Sequence, residues 1–177
     1  MFVPKSIYTD LAFRSIAEYL TQGNTYVIEQ ESIAPPLLQQ KSCFVSIHLA
    51  QNGDLRGCIG TIKPVYDSLF FEIIHNAVSA ATRDTRFSSL TLRELQKIQL
   101  SVDVLSIPIK VENLLGHNPK THGLIISDSK GRKGVLLPGL EGIDTAKQQE
   151  EIVKKKAGIY WGETNLNYFT FTVERFH

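Results

Sequence analysis

The chain is poor in most of the residues that mark a function class. Its 177 residues hold two cysteines, one tryptophan and one methionine. Two cysteines cannot form the disulfide framework of a small secreted scaffold and suit a reducing compartment, so a cytoplasmic protein is expected. Neither sign of charge is in excess: 19 Lys and Arg stand against 18 Asp and Glu, a net charge of +1. The bases are scattered among acids, which argues against the basic face of a nucleic-acid binder. The one dense group, Lys154-Lys155-Lys156, falls at a predicted helix C-terminus, where it favours the dipole. No apolar run approaches the roughly 20 residues of a membrane span, and Met1–Ser15 has no hydrophobic segment followed by small cleavage residues. No membrane association is expected. Cys58, His75, His117 and His122 lack any zinc-ligand spacing, so no metal is expected. Nothing in the sequence names a cofactor.

A chain of this length suits one compact domain with two lobes and buries about 70% of its unfolded surface. Ser6 caps a predicted helix that ends near Gly23. Glu29–Gln40, with Pro35-Pro36, reads as an extended crossing loop. Ser42–Leu49 and Leu55–Ile62 read as strands joined by Asn52-Gly53, the strongest short hairpin signal. Pro64 opens a helix through Thr82. On it Ser68, Glu72, His75, Asn76, Ser79 and Arg83 form a polar stripe, expected to face solvent. Thr91 and Glu94 make a capping-box pattern for a short helix. Ile98–Ile107 alternates as a half-buried strand. A second hairpin runs through 124–127 and 135–137, a helix spans Thr145–Ala157 and stops at Gly158, and Tyr168–Glu174 is a closing strand. Hairpins outnumber βαβ units. The predicted class is α+β, a mainly antiparallel β-sheet with helices packed on it.

The most unusual stretch is Leu55-Arg56-Gly57-Cys58-Ile59-Gly60. With a two-residue turn at Asn52-Gly53, Gln51 pairs with Asp54. Cys58 then stands opposite Ile47, Gly57 opposite His48 and Gly60 opposite Val45. Pleat parity puts Cys58 on the face of Cys43, Val45 and Ile47, away from His48. A Cys58–His48 dyad fails in that register unless a bulge shifts it, and the glycines permit a bulge. Cys43 and Cys58 are not opposite, so no disulfide is expected. Two readings of Cys58 stay open. It is a small hydrophobe under the hairpin, or a nucleophile or acid near a ligand. Gly57 and Gly60 leave room for a ligand or for another backbone. Arg56, assigned to the Cys58 face, has the shape to clamp a carboxylate or phosphate.

The hexapeptide at 55–60 resembles the signature of the AMMECR family. Phe44-Val45-Ser46-Ile47, Ala81–Phe87 with Asp84, Arg86 and Phe87, Glu94-Leu95, Val104-Leu105-Ser106, His122–Ile125, Gly134–Pro138 and Lys156-Ala157-Gly158 are similar to further family elements, in family order and over nearly the whole chain. The resemblance implies a single AMMECR-like domain over 1–177, with a smaller sub-lobe and a cleft between two lobes near the signature. It also implies association with a Memo-like protein and a radical-SAM enzyme in the AmmeMemoRadiSam system. Where the family often has a cysteine two residues before Lys-Ala-Gly, this chain has Lys154.

These motifs supply further candidates. Asp84 and Arg86 read either as a binding pair or as a turn cap with its ionic partner. His122, just before a strand, is the best candidate general base, because histidine titrates near neutrality. Glu72-Ile-Ile-His75 has a metal-helix spacing without the second copy such sites need. Gly116–Gly123 lacks the Gly-Lys-[Ser/Thr] ending of a phosphate loop. Two functions are expected to compete. One is an enzyme or enzyme component acting on a small anionic or amide-bearing substrate, with Cys58 and His122 as catalytic groups and Arg56, Gly57, Gly60, Asp84 and Arg86 in binding. The other is a non-catalytic adaptor that presents the hairpin to a protein partner.

Overall fold

The computed structural model describes residues 3–27, 29–160 and 162–177. It is α+β, with two four-stranded antiparallel sheets and three helices among the described residues. The chain divides into two compact units, 1–105 with 174–177 and 106–173.

The first unit holds α1 (Ile7–Gln22), β1 (Cys43–Leu49), β2 (Leu55–Gly60), α2 (Leu69–Thr82), β3 (Ile98–Leu105) and, from its second residue on, β8 (Val173–Phe176). Its sheet runs β2-β1-β3-β8. Ser6 caps α1 by accepting the Thr9 N–H, and Gly23 closes the helix in the left-handed region at φ 74°. Helices α1 and α2 pack together and onto the sheet. Ile16, Ile73, Ile74, Ala77, Val45 and Val102 form the centre of that core at 0% exposure. The segment before β1 contains two 3-10 turns, Gln30–Ser32 and Pro35–Leu38.

The second unit holds β4 (Ile109–Val111), β5 (Gly123–Ser127), β6 (Lys133–Leu136), α3 (Ala146–Ala157) and β7 (Asn167–Phe171), with sheet order β4-β7-β5-β6. Its core is Leu124, Ile126, Leu136, Val153 and Ile159. A full capping box, Thr145 with Gln148, starts α3, and Gly158 at φ 66° stops it.

Four expectations are corrected. Helix α2 begins at Leu69 rather than Pro64. The Glu72 carboxylate accepts the N–H groups of Val65 and Tyr66, the hydroxyl of Thr61 and the amide of Asn76, so the 61–66 backbone folds around it instead of coiling. For the same reason the polar stripe of α2 does not face solvent at its centre: Ser68, Glu72 and Asn76 are buried. Strand β3 is buried on both faces, with Ser101 and Asp103 enclosed and only Gln99 exposed. The single closing strand is two. It breaks at Thr172, whose N–H is taken by Ser106 Oγ, and β7 and β8 join different sheets.

Candidate functional site

The hairpin at the signature departs from the expected register. The turn is a four-residue loop: Leu49 donates to the Asp54 carbonyl and Gly53, at φ 77°, donates to the Leu49 carbonyl. His48 pairs with Leu55, then Arg56 bulges out, and Ile47 pairs with Gly57. Cys58 therefore stands opposite Ser46 rather than Ile47. The bulge reverses the parity of the return strand. Gly57 and Ile59 face the helices, while Cys58 shares the opposite face with Phe44, Ser46 and His48 of β1 and with Ser101 and Asp103 of β3.

The glycines explain why the bulge holds. A Cβ on Gly57 would lie 2.3 Å from the Ala80 carbonyl oxygen of α2. A Cβ on Gly60 would lie 2.2 Å from the Phe44 ring. Of the two alternatives foreseen, a ligand or another backbone, the neighbour found at Gly57 is the α2 backbone, and at Gly60 it is the Phe44 ring with the Cys43 carbonyl.

Cys58 is half-buried and Cys43 is fully buried; both are free thiols. The Ser46 hydroxyl donates to Cys58 Sγ at 3.3 Å. Burial raises the Cys58 pKa, against the opposing pull of Ser46 and the Arg86 charge. That direction favours the protonated thiol. Cys43, with Asn76 Nδ2 3.6 Å from its sulfur, is pushed up to about 12 by burial. On the same face, burial followed by the Arg175 charge lowers the His48 pKa and favours the neutral imidazole.

The loop after α2 is tied to this strand by one carboxylate. Asp84 Oδ2 accepts the Cys58 backbone N–H at 2.9 Å. The same carboxylate takes the Arg86 guanidinium as a fork, Nε to Oδ1 at 2.9 Å and Nη2 to Oδ2 at 2.6 Å, and also the Arg86 N–H. The Arg86 fork comes first among the causes that hold Asp84 far below the usual carboxylate range. Asp84 is buried, whereas the Arg86 side chain is 55% exposed. The turn-cap and ion-pair roles foreseen for this pair are both present.

Arg56 is differently placed. Its bulge directs the guanidinium to Glu94, Nε to Oε1 at 3.0 Å, and to the Ser88 carbonyl at 2.9 Å. Its side chain is 11% exposed. The charges of Arg86 and Arg175, not that of Arg56, act with Cys58. His122 lies in the second unit, with Nδ1 2.9 Å from Thr121 Oγ1. Next to it, the buried Gln149 donates to the His122 carbonyl, and its amide oxygen lies 2.5 Å from His117 Nε2.

Three groups of the Cys58 face escaped sequence reasoning: Ser46, Asp103 and Arg175. Arg175 forks onto Asp103, Nε to Oδ1 at 2.7 Å and Nη2 to Oδ2 at 2.9 Å. Ser46 and Asp103 were legible as polar positions inside apolar strands. Arg175 had no such signal, because it belongs to this sheet only through the break at Thr172.

The model of one family, AMMECR1, matches residues 9–176. The chain belongs to the AMMECR1 family. A Thermotoga maritima protein is 41% identical over 172 residues, covering 96% of each chain. A Clostridium acetobutylicum protein is 40% identical over 175 residues, covering 97% of this chain but 35% of its own length. The crystal structure of an uncharacterized Pyrococcus horikoshii protein superposes with a TM-score of 0.86 at 27% identity, covering 95% of this chain and 88% of that one. The AMMECR1 domain thus occurs both nearly alone, as in Thermotoga, and within a longer chain, as in Clostridium. No helix among the described residues is long and apolar enough to cross a membrane.

Proposed function

We propose that this AMMECR1 protein is an enzyme or enzyme component that binds a small anionic substrate on the Cys58 face of its first unit. Arg86 holds the anion, and Cys58 supplies a neutral thiol as proton donor. The observation that carries this reading is the Asp84 carboxylate. One buried group holds the Cys58 N–H and forks onto a half-exposed guanidinium, so thiol strand and cation are fixed relative to each other before any substrate arrives. The raised thiol pKa supports a hydrogen-bond and proton donor over a standing thiolate nucleophile. Arg56, with its guanidinium committed to Glu94 and Ser88, acts in this reading by holding the bulge. The pathway expected from the family resemblance, with Memo-like and radical-SAM proteins, is the proposed setting.

Acetate or phosphate titrated into the isotopically labelled protein tests the binding step. The Cys58 amide and the Arg86 Nε–H resonances should shift together and saturate, and Arg86→Gln should abolish the effect. Resonances that stay fixed in the wild type sink the proposal. His122, in the second unit, has no part in this reading of the first unit.

One observation favours the adaptor reading as a second choice. The Clostridium relative carries this domain inside a chain with about two-thirds of its length outside the match, so the domain works there beside other covalently attached sequence. A hairpin substitution such as Leu55→Asp, on an exposed position of β2, should then release a partner that otherwise co-purifies. Retention of the partner would count against it.

A further inference from the structure

The Cys58 face carries the same device twice. Arg86 forks onto Asp84, and Arg175 forks onto Asp103. Each carboxylate is buried, Asp84 at 5% and Asp103 at 1% side-chain exposure. Each guanidinium is partly exposed, at 55% and 39%. A guanidinium has five N–H donors in a fixed fork. In both residues Nε and Nη2 are spent on the carboxylate, and Nη1 makes no hydrogen bond among the described residues. Each pair is neutral as a whole, with a buried carboxylate and a partly exposed arginine side chain.

The sheet order separates the two pairs. Asp84 binds Cys58 of β2, the edge strand, whereas Asp103 lies on β3, with β1 in between. Strands sit about 4.8 Å apart, so β2 and β3 are roughly 10 Å apart. Cys58 stands on β2 beside the first anchor and Ser46 on β1; Asp103 pairs with Phe44, two residues along from the Ser46–Ser101 pair, so the two anchors lie roughly 12 Å apart. Cys58 is within electrostatic reach of both arginines. A compact ion such as phosphate cannot run from one anchor to the other. Two carboxylates on one carbon chain can, and planar carboxylates match the guanidinium edge.

We propose that the substrate class of this site is a small dicarboxylate, with one carboxylate on the free edge of Arg86 and the other on the free edge of Arg175. The molecule passes the half-buried Cys58. This rests on the reading above that Arg86 binds an anion; Arg175 adds the second anchor and sets the length of the ligand.

Calorimetric titration of the full chain with butyrate, inorganic phosphate, malonate, glutarate and adipate tests it. Glutarate or adipate should bind at least about tenfold more tightly than butyrate, the effect of one added charge-assisted contact. Phosphate and malonate should show no such gain. Arg175→Ala would strand the buried Asp103 carboxylate, so the matched double variant Asp103→Asn with Arg175→Met removes both charges together. In it the long dicarboxylates should fall to the butyrate level, and the butyrate binding that depends on Arg86 should persist. Long dicarboxylates that bind no better than butyrate in the wild type overturn the proposal without any variant. An advantage that survives in the double variant overturns it too. If butyrate binds and needs Arg86 but the second carboxylate adds nothing, the anion-binding reading stands and this inference falls. If no carboxylate binds, both fall.

Discussion

Gly57→Ala separates the observed register from the one that a two-residue turn would give. In the structure a methyl at 57 would sit 2.3 Å from the Ala80 carbonyl oxygen and 3.2 Å from its carbon. Carbon–oxygen contacts settle near 3.3–3.6 Å, so β2 and α2 would have to part by about 1 Å. The obstacle is helix backbone, which cannot rotate away as a side chain can. Overpacking of this kind costs about 1–3 kcal/mol. For a chain of this size each kcal/mol lowers Tm by about 2–4 °C, so a fall on the order of 5 °C is expected in a thermal melt followed by circular dichroism. In the alternative register Gly57 points away from the helices, and alanine there would be neutral or slightly stabilising. A Gly57→Ala variant that melts with the wild type would refute the bulge and the placement of Cys58 that depends on it.

Three further outcomes follow from the same contacts. Asp84→Asn should cost about 2–3 kcal/mol in denaturant unfolding, because it removes the charge that Arg86 and the Cys58 N–H share. The pH dependence has a definite sign. The folded Asp84 carboxyl has a lowered pKa, so its stabilisation is full above the ordinary carboxylate range near pH 4 and is lost as pH falls below it; acid unfolding of Asp84→Asn should be correspondingly flatter between about pH 4 and 2, and an unchanged slope would contradict the fork. Glu72→Ala should destabilise by about 3 kcal/mol or more, since it strands the Val65 and Tyr66 N–H groups, and loss of hydrogen-exchange protection at 65–66 is the specific readout.

The fold class, the helix caps at Ser6, Gly23, Thr145 and Gly158, and the signature hairpin were legible because each rests on local chemistry. What the sequence could not show is long-range. A hairpin register depends on loop length, and the loop adopts four residues here although Asn-Gly favours two. The bulge at Arg56 is set by the pull of Glu94 and Ser88 and by the contact between Gly57 and Ala80, all distant in sequence. Pro64 is a good helix start, but the buried Glu72 carboxylate needs the neighbouring N–H groups and delays the helix by a turn. Alternation through Tyr168–Glu174 gives no hint that Thr172 breaks the strand. Arg175 was invisible as a site residue for that reason alone. Asp84 and Arg86 were found as candidates through motif similarity, and the structure adds that they bind each other and the strand of Cys58.

The most direct test is the alkylation of the two cysteines by iodoacetamide, followed by mass spectrometry across pH, with and without adipate. Cys58 should label and Cys43 should not. The Cys58 rate should rise with pH through a midpoint above that of an ordinary thiol, because the folded site holds the proton. Adipate should slow it in the wild type and leave it unchanged in Arg86→Gln. Equal labelling of both cysteines, or a Cys58 rate indifferent to adipate in the wild type, would contradict an anion site on the Cys58 face.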